Sequence, residues 1–308
     1  MHFKFNKNTN GLHRENKIMS IITLTTDYGL KDHFVGALKG RILSQYPEAK
    51  IVDISHHVDP FNVAEASYMV GAAYKSFPPG TIHIIGVDIE RNKENKHIVM
   101  QWNDHYFICA DNGIPGILTQ RILPQKIINI NFFTALNPDQ SDIDIFITVA
   151  CHIAKGGLLN VVGTEVESVK QSIELSATMS NDQNTINGCI LYVDHFGNLV
   201  TNITKELFAH HRKGRKFEIK HNARGTSRDK DHSKPISEIF SRYSDIAASS
   251  NFAITDFSGK KLAVFNEAGL LEIAIFRSNP KTVGSASTLL GLNYRDIVQI
   301  HFIDEKQK

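Results

Sequence analysis

Asp27 lies in Thr25-Thr26-Asp27-Tyr28-Gly29, where a β-rich run stops and a glycine permits a close turn. A carboxylate there can accept two hydrogen bonds from a vicinal diol such as a ribose; capping a helix is its ordinary use. Ala110-Asp111-Asn112-Gly113 repeats the pattern at a second strand end. Two such ends in one sheet would converge on one crevice. Between them, Asp53-Ile54-Ser55-His56-His57-Val58-Asp59 sets paired imidazoles beside two carboxylates, a metal-binding combination. Adjacent residues on an extended chain point to opposite faces, however, so one ion is not readily shared by both His. Further on, Asp194-His195-Phe196-Gly197-Asn198 and Asn266-Glu267-Ala268-Gly269 each read, taken singly, as turns between strands.

The elements that must position these residues change character along the chain. From Ser20 to about Gly163, short apolar runs (Ile21 to Thr25, Ile51 to Ile54, Thr81 to Val87, Ile98 to Trp102, Tyr106 to Cys109) alternate with helical spacing. Phe34, Val35, Leu38 and Ile42 mark one helix, and Asn62 is placed to cap another running to about Lys75. This predicts an α/β domain with a mainly parallel sheet. After about Asn181 the runs Cys189–Val193, Leu199–Ile203, Ala253–Thr255, Leu262–Phe265, Leu271–Ile275 and Ile297–Phe302 are separated by turn residues, which predicts a smaller, mostly β domain. The expected division is a disordered tail over 1–18, an N-terminal domain over 19–180 and a C-terminal domain over 181–308, with polar Ser168 to Thr185 as the linker.

Composition narrows the function classes. The chain has 308 residues, 42% hydrophobic and 21% charged, with 34 Lys and Arg against 32 Asp and Glu. Such a balance supplies no general field for nucleic acid or an acidic membrane. Three Cys without metal-type spacing read as free thiols in a reducing compartment. No apolar run is long enough for a membrane span, so a cytoplasmic protein with no membrane partner is expected. His210 to Pro235 holds nine Lys or Arg against three Asp or Glu, with Phe217 its only aromatic of the Phe, Tyr and Trp type. An exposed loop is favoured there over a nucleic-acid patch.

Taken in order, the TTDYG, DISH-to-PFN, FPPGT, ADNG, YVDHFGN and GLLEIA segments resemble the S-adenosyl-L-methionine hydroxide adenosyltransferases, relatives of the fluorinase and chlorinase that use the same substrate. The resemblance implies an N-terminal α/β domain, a C-terminal β-barrel and a homotrimer that holds S-adenosyl-L-methionine between subunits. It implies that Asp27 binds the ribose hydroxyls, Asp194 the methionine ammonium, Phe196 and Asn198 the adenine, and Asn266 the methionine end, with Asn112 also among the substrate-binding residues. The substrate would be S-adenosyl-L-methionine itself, with no separate cofactor and no metal.

The reaction so implied is displacement at ribose C5′, in which methionine leaves as a neutral thioether. Where halogenases carry Tyr, this chain has Asp88, which favours water over halide. The family's water-orienting Arg falls on Asn95 by direct counting, with Arg91, Lys93 and Lys96 nearby, and its His falls on Ser141. A small family residue becomes Asp142, a carboxylate that would repel halide and, with Asp88, act as a base toward water. Asp88, Asp142 and Ser141 are therefore the expected catalytic set, in a hydrolase with a rebuilt water site. The competing expectation is a protein that holds S-adenosyl-L-methionine or adenosine without turnover.

Overall fold

The computed structural model describes residues 20–119, 122–131, 140–171, 176–221, 234–248, 250 and 252–303. The expected tail over 1–18 and the middle of the basic segment, 222–233, lie outside them.

The first half builds one sheet from β1 (Ile21–Thr26), β2 (Lys50–Ser55), β3 (Ile82–Gly86), β4 (His97–Trp102), β5 (His105–Ala110), β6 (Lys126–Ile130) and β7 (Gly163–Glu165). Their order is β2-β1-β3-β5-β4-β6-β7. Pairings among β2, β1, β3 and β5 are parallel, while β5 with β4, β4 with β6 and β6 with β7 are antiparallel. The sheet is thus mixed, which corrects the expectation of a mainly parallel one. For β4 and β5 the cause is local: Asn103 and Asp104 both take left-handed φ, +49° and +61°, and a two-residue turn of that kind joins only antiparallel strands.

Helices cover both faces. The apolar stripe of α1 (Phe34–Gln45), Val35, Leu38 and Ile42, packs beside α4 (Asp142–Ala154) on one side. On the other, α2 (Val63–Ala73) and α3 (Ile114–Thr119) bury Ala66, Val70, Ile114 and Leu118 against Ile85, Met100 and Phe107. Asn62 caps α2 as its position predicts, its Oδ1 accepting from the Glu65 amide at 3.2 Å. Covering both faces leaves every residue of β3 buried, so its isoleucines show no polar alternation and its one polar side chain, His83, is buried against Thr23 and His105.

The second sheet is antiparallel throughout. It contains β8 (Thr178–Met179), β9 (Thr185–Val193), β10 (Leu199–Thr204), β11 (Lys216–His221), β12 (Lys261–Phe265), β13 (Leu270–Ile275) and β14 (Ile297–Ile303). Its order is β11-β14-β9-β10-β13-β12, with β8 on β9. Ile236 bridges β11 through Ile219, and Phe240 bridges β12 through Val264, so the segment between them touches both edges. Among the described residues two helices accompany the sheet, α5 (Lys205–Arg212) and α6 (Ala286–Leu290). Residues Ala253–Thr255 are not a strand; Ile254–Phe257 forms a 3-10 turn, which a three-residue run is too short to oppose.

The expected basic loop also needs correction where it is described. His210–Arg212 ends α5, Lys216–His221 is β11, and Phe217 is buried with Arg212 over its ring. Between the two halves, Ala64 of α2 packs on Leu191, Val200 and Leu270, and the Tyr68 and Tyr192 rings lie 5.2 Å apart. Cys109, Cys151 and Cys189 are all free; the first two are buried and the third half-buried. No helix among the described residues is long and apolar enough to cross a membrane.

Candidate functional site

The four parallel strands end at one edge of the first sheet, and that edge collects Asp27 after β1, His56 after β2, Asp88 after β3 and Asn112 after β5. The start of α4, with Ser141 and Asp142, arrives at the same edge. Asp27 caps no helix, since α1 begins at Phe34 with His33 before it. Its carboxylate accepts the Phe61 amide at 3.1 Å, and Gly29, at φ +65°, turns the chain so that its N–H reaches the His56 carbonyl. Phe61 itself takes φ +63°, an uncommon conformation for an aromatic residue, and is 73% exposed beside Asp27.

Asp88 lies on a loop tied down through its backbone. Asp88 has φ +50°, and its carbonyl accepts from Asn112 Nδ2 at 3.0 Å and Asn95 Nδ2 at 3.1 Å. Asn112 also donates to the Val87 carbonyl, and its Oδ1 accepts the Ile114 amide. Asn95 donates to the Glu90 carbonyl as well, so at the counted Arg position this chain has a buried loop clamp in place of a cation. His97 Nε2 donates to the Ile89 carbonyl at 2.7 Å and stands 3.6 Å from Asp142 Oδ1. Burial holds the His97 imidazole below its ordinary pKa, so it remains the neutral donor that this contact needs.

The other half of the expected catalytic set is likewise engaged. Asp142 Oδ2 accepts the Arg91 amide at 3.0 Å, which fastens the loop to α4. Ser141 Oγ donates to Asp144 Oδ2 at 2.5 Å, and Arg41 of α1 pairs with Asp144 Oδ1 at 2.8 Å. Arg41 is a cation that local sequence did not advertise, because it sits within an ordinary amphipathic helix. Tyr28 reports the crowding: burial first, then Asp27, Asp142 and Asp144 against Arg41, push its hydroxyl up to about 12.

A second group forms on the other sheet. Asp194, Phe196 and Asn266 line a cavity of about 510 Å³ together with Tyr68 and Ala72 of α2 and Tyr243. Gly197 adopts φ +74°, and a Cβ there would fall 2.2 Å from Ser285 Oγ, so the turn after Phe196 admits only glycine. That turn lets Asp194 accept both the Asn198 amide, at 2.7 Å, and Asn198 Nδ2, at 3.0 Å. Phe196 leaves 63% of its surface exposed, an aromatic face ready for a flat ligand. Asn266 donates to Tyr68 Oη at 3.2 Å and to Glu272 Oε2 at 3.3 Å.

The expected residues are therefore brought together as two groups, and among the described residues no hydrogen bond or ion pair joins them. The 59–65 segment runs between: Phe61 meets Asp27, while Tyr192 is pushed up to about 12 by burial and then by Glu65, Asp194 and Asp59. The paired His separate as the extended chain requires. His56 is buried against Thr26 Oγ1 at 2.7 Å, and His57 is exposed. No group of three or more His, Cys, Asp or Glu among the described residues is arranged to hold a metal ion. Sequence reasoning missed Glu272, Tyr243, Tyr68, His97 and Arg41; only Glu272 carried a signal, as the one charged residue in the apolar run of GLLEIA.

Such an arrangement offers carboxylates for hydroxyls and for a cation, an exposed aromatic face, and a carboxylate on a fixed loop as a base. Comparison with known proteins points the same way. The profile described as "SAM hydroxide adenosyltransferase N-terminal domain" matches residues 22–163, and its C-terminal counterpart matches 188–299. The (R)-S-adenosyl-L-methionine hydrolase of Methanocaldococcus jannaschii is 29% identical over 297 residues, covering 94% of this chain and 99% of the relative. A fluorinase of an Actinoplanes species is 25% identical over 214 residues, covering 59% of this chain and 71% of that protein. Among solved structures, an uncharacterized conserved protein from Thermotoga maritima superimposes with a TM-score of 0.72 at 29% identity, over 91% of this chain and 99% of the other.

Proposed function

This chain belongs to the SAM hydroxide adenosyltransferase family, and from that premise we propose that it is an S-adenosyl-L-methionine hydrolase releasing adenosine and L-methionine. The observation that carries the reading is the convergence of Asp27, Asp88, Asn112 and the start of α4 on one sheet edge, in a chain matched by the family in both halves.

Water attacks ribose C5′ as the C5′–S bond breaks, and the bonding pair stays on sulfur to give the neutral thioether of methionine. Because the leaving group needs no proton, the protein has to hold and desolvate water in line and accept one proton. Asp88 takes that proton. Asn95, Asn112 and His97 fix the backbone of its loop, and Asp142 ties the same loop to α4 through the Arg91 amide. Asp27 accepts the ribose hydroxyls. Asp194 meets the methionine ammonium, Phe196 and Asn198 face the adenine, and Asn266 adjoins the methionine end. Carboxylates at both groups suit a ligand that is cationic at sulfur and at nitrogen.

The separation of the two groups within one chain supports a site completed by a neighbouring subunit in a homotrimer, with the C-terminal sheet curled into a barrel. We read the protein as cytoplasmic and as using S-adenosyl-L-methionine as substrate without a further cofactor. Incubation with S-adenosyl-L-methionine, with chromatography of the products, is expected to show adenosine and methionine in equal amounts and no 5′-halo nucleoside in chloride. Binding without product would instead identify a holding protein.

A further inference from the structure

We propose that Glu272 is the positioning residue of the C-terminal binding wall, a buried carboxylate that sets Asn266, Asn198 and Tyr243 at once. This inference rests on the hydrolase reading above and deepens it.

Glu272 sits in the middle of β13 and is 4% exposed, where an isolated carboxylate would be costly. Its partners are uncharged donors from three separate segments. Tyr243 Oη donates to Oε1, Asn266 Nδ2 donates to Oε2 at 3.3 Å, and the Asn198 side chain also favours the charged carboxylate. Tyr243 and Asn266 line the 510 Å³ cavity, and Asn198 holds the Asp194 carboxylate that lines it too. One side chain thus ties the turn after β9, the turn before β13 and the 3-10 segment Tyr243–Ala247 into one wall.

Charge makes the wall selective. Burial pushes the Glu272 carboxyl up, against the Tyr243 and Asn266 hydrogen bonds, and the nearby Asp194 charge adds to it in the same direction. Arg242, the cavity's arginine, is held by Asp245 at 3.5 Å. A ligand ammonium reaching Asp194 relieves that repulsion, so ligand binding and the charged form of Glu272 favour each other. The groups facing Glu272 are Tyr243 and Asn266 beside the cavity, Asn198 and Asp194 across it, and Tyr68 from α2.

The test is Glu272→Gln in the full chain, with Tyr243→Phe as a milder variant that removes one donor and keeps the fold. Steady-state hydrolysis of S-adenosyl-L-methionine and inhibition by adenosine are measured at pH 6 to 9, with thermal melting alongside. Expected for Glu272→Gln is a KM raised about tenfold, a comparable rise in the adenosine inhibition constant and kcat changed less than threefold; Tyr243→Phe moves KM the same way by a smaller factor. The KM of the native chain is expected to rise toward low pH, and Glu272→Gln to flatten that rise. Unchanged KM and inhibition constant with only a lowered melting temperature overturn the proposal. A native chain that neither binds nor hydrolyses S-adenosyl-L-methionine overturns the hydrolase reading, and this proposal with it.

Discussion

At the edge of the first sheet, Asp88 rides on a loop whose backbone carbonyls are held by Asn95, Asn112 and His97, whereas in the second sheet Glu272 and Asn266 hold one another by side chains on and beside a strand. The first design leaves the Asp88 carboxylate free of protein partners in the described contacts, because the clamp is spent on the peptide groups. The second uses its polar atoms on each other and leaves a shaped wall. A group that must take up a proton needs a free functional end on a fixed backbone; a group that recognises a ligand needs a preset surface. The two regions should therefore fail differently when damaged.

The largest failure is expected for Asp88→Asn. Removing the proposed general base is expected to lower adenosine release by about 10²- to 10⁴-fold, while calorimetric affinity for S-adenosyl-L-methionine holds. Full release by this variant would remove Asp88 from the chemistry.

Acid should separate the regions next. His83, buried between Thr23 and His105, is held at about 3 by burial and by the His105 charge. Between its ordinary 6.5 and about 3 the unfolded chain binds a proton that the folded chain excludes, so this contribution to stability is intact above pH 6.5. It is lost on descent at up to about 1.4 kcal/mol per pH unit. Glu272 has the opposite sign: its pKa is raised in the fold, so the folded chain takes its proton first and the second sheet gains as pH falls. Hydrogen exchange at pH 7.5 and 5 should show β3 amides losing protection before β13 amides; the reverse order would break the comparison.

Asp194→Asn is expected to raise KM by about ten- to a hundredfold with kcat nearly kept, since a charge-assisted hydrogen bond contributes about 1.5–3 kcal/mol. Asn95→Ala should do the reverse at smaller size. Losing the donors to Asp88 and Glu90 costs about 1–2 kcal/mol, and kcat falls about tenfold with KM unchanged. A KM effect there would mean that the loop also touches the bound ligand.

Much of this architecture was legible residue by residue. Asn62 as a helix cap, the Leu38 and Ile42 stripe and the strands around Ile84 and Ile273 follow from local periodicity and capping chemistry. The Asn103-Asp104 turn encodes the antiparallel β4–β5 pair, whereas helical spacing between the other strands points to parallel pairing alone. Lys205–Arg212 and Lys216–His221 were hidden by their charge, because basic residues on the outer face mask one buried aromatic per element, Phe208 and Phe217.

By itself the sequence determined the family, the two-part plan and the carboxylates at strand ends, because those depend on residue type, order and nearest neighbours. Tertiary structure alone decided which polar atoms remain for a ligand. Arg41 is joined to Asp144 and Tyr243 to Glu272 by contacts across 103 and 29 residues. Contacts of that separation arise from packing of distant elements, and no local pattern of spacing encodes them.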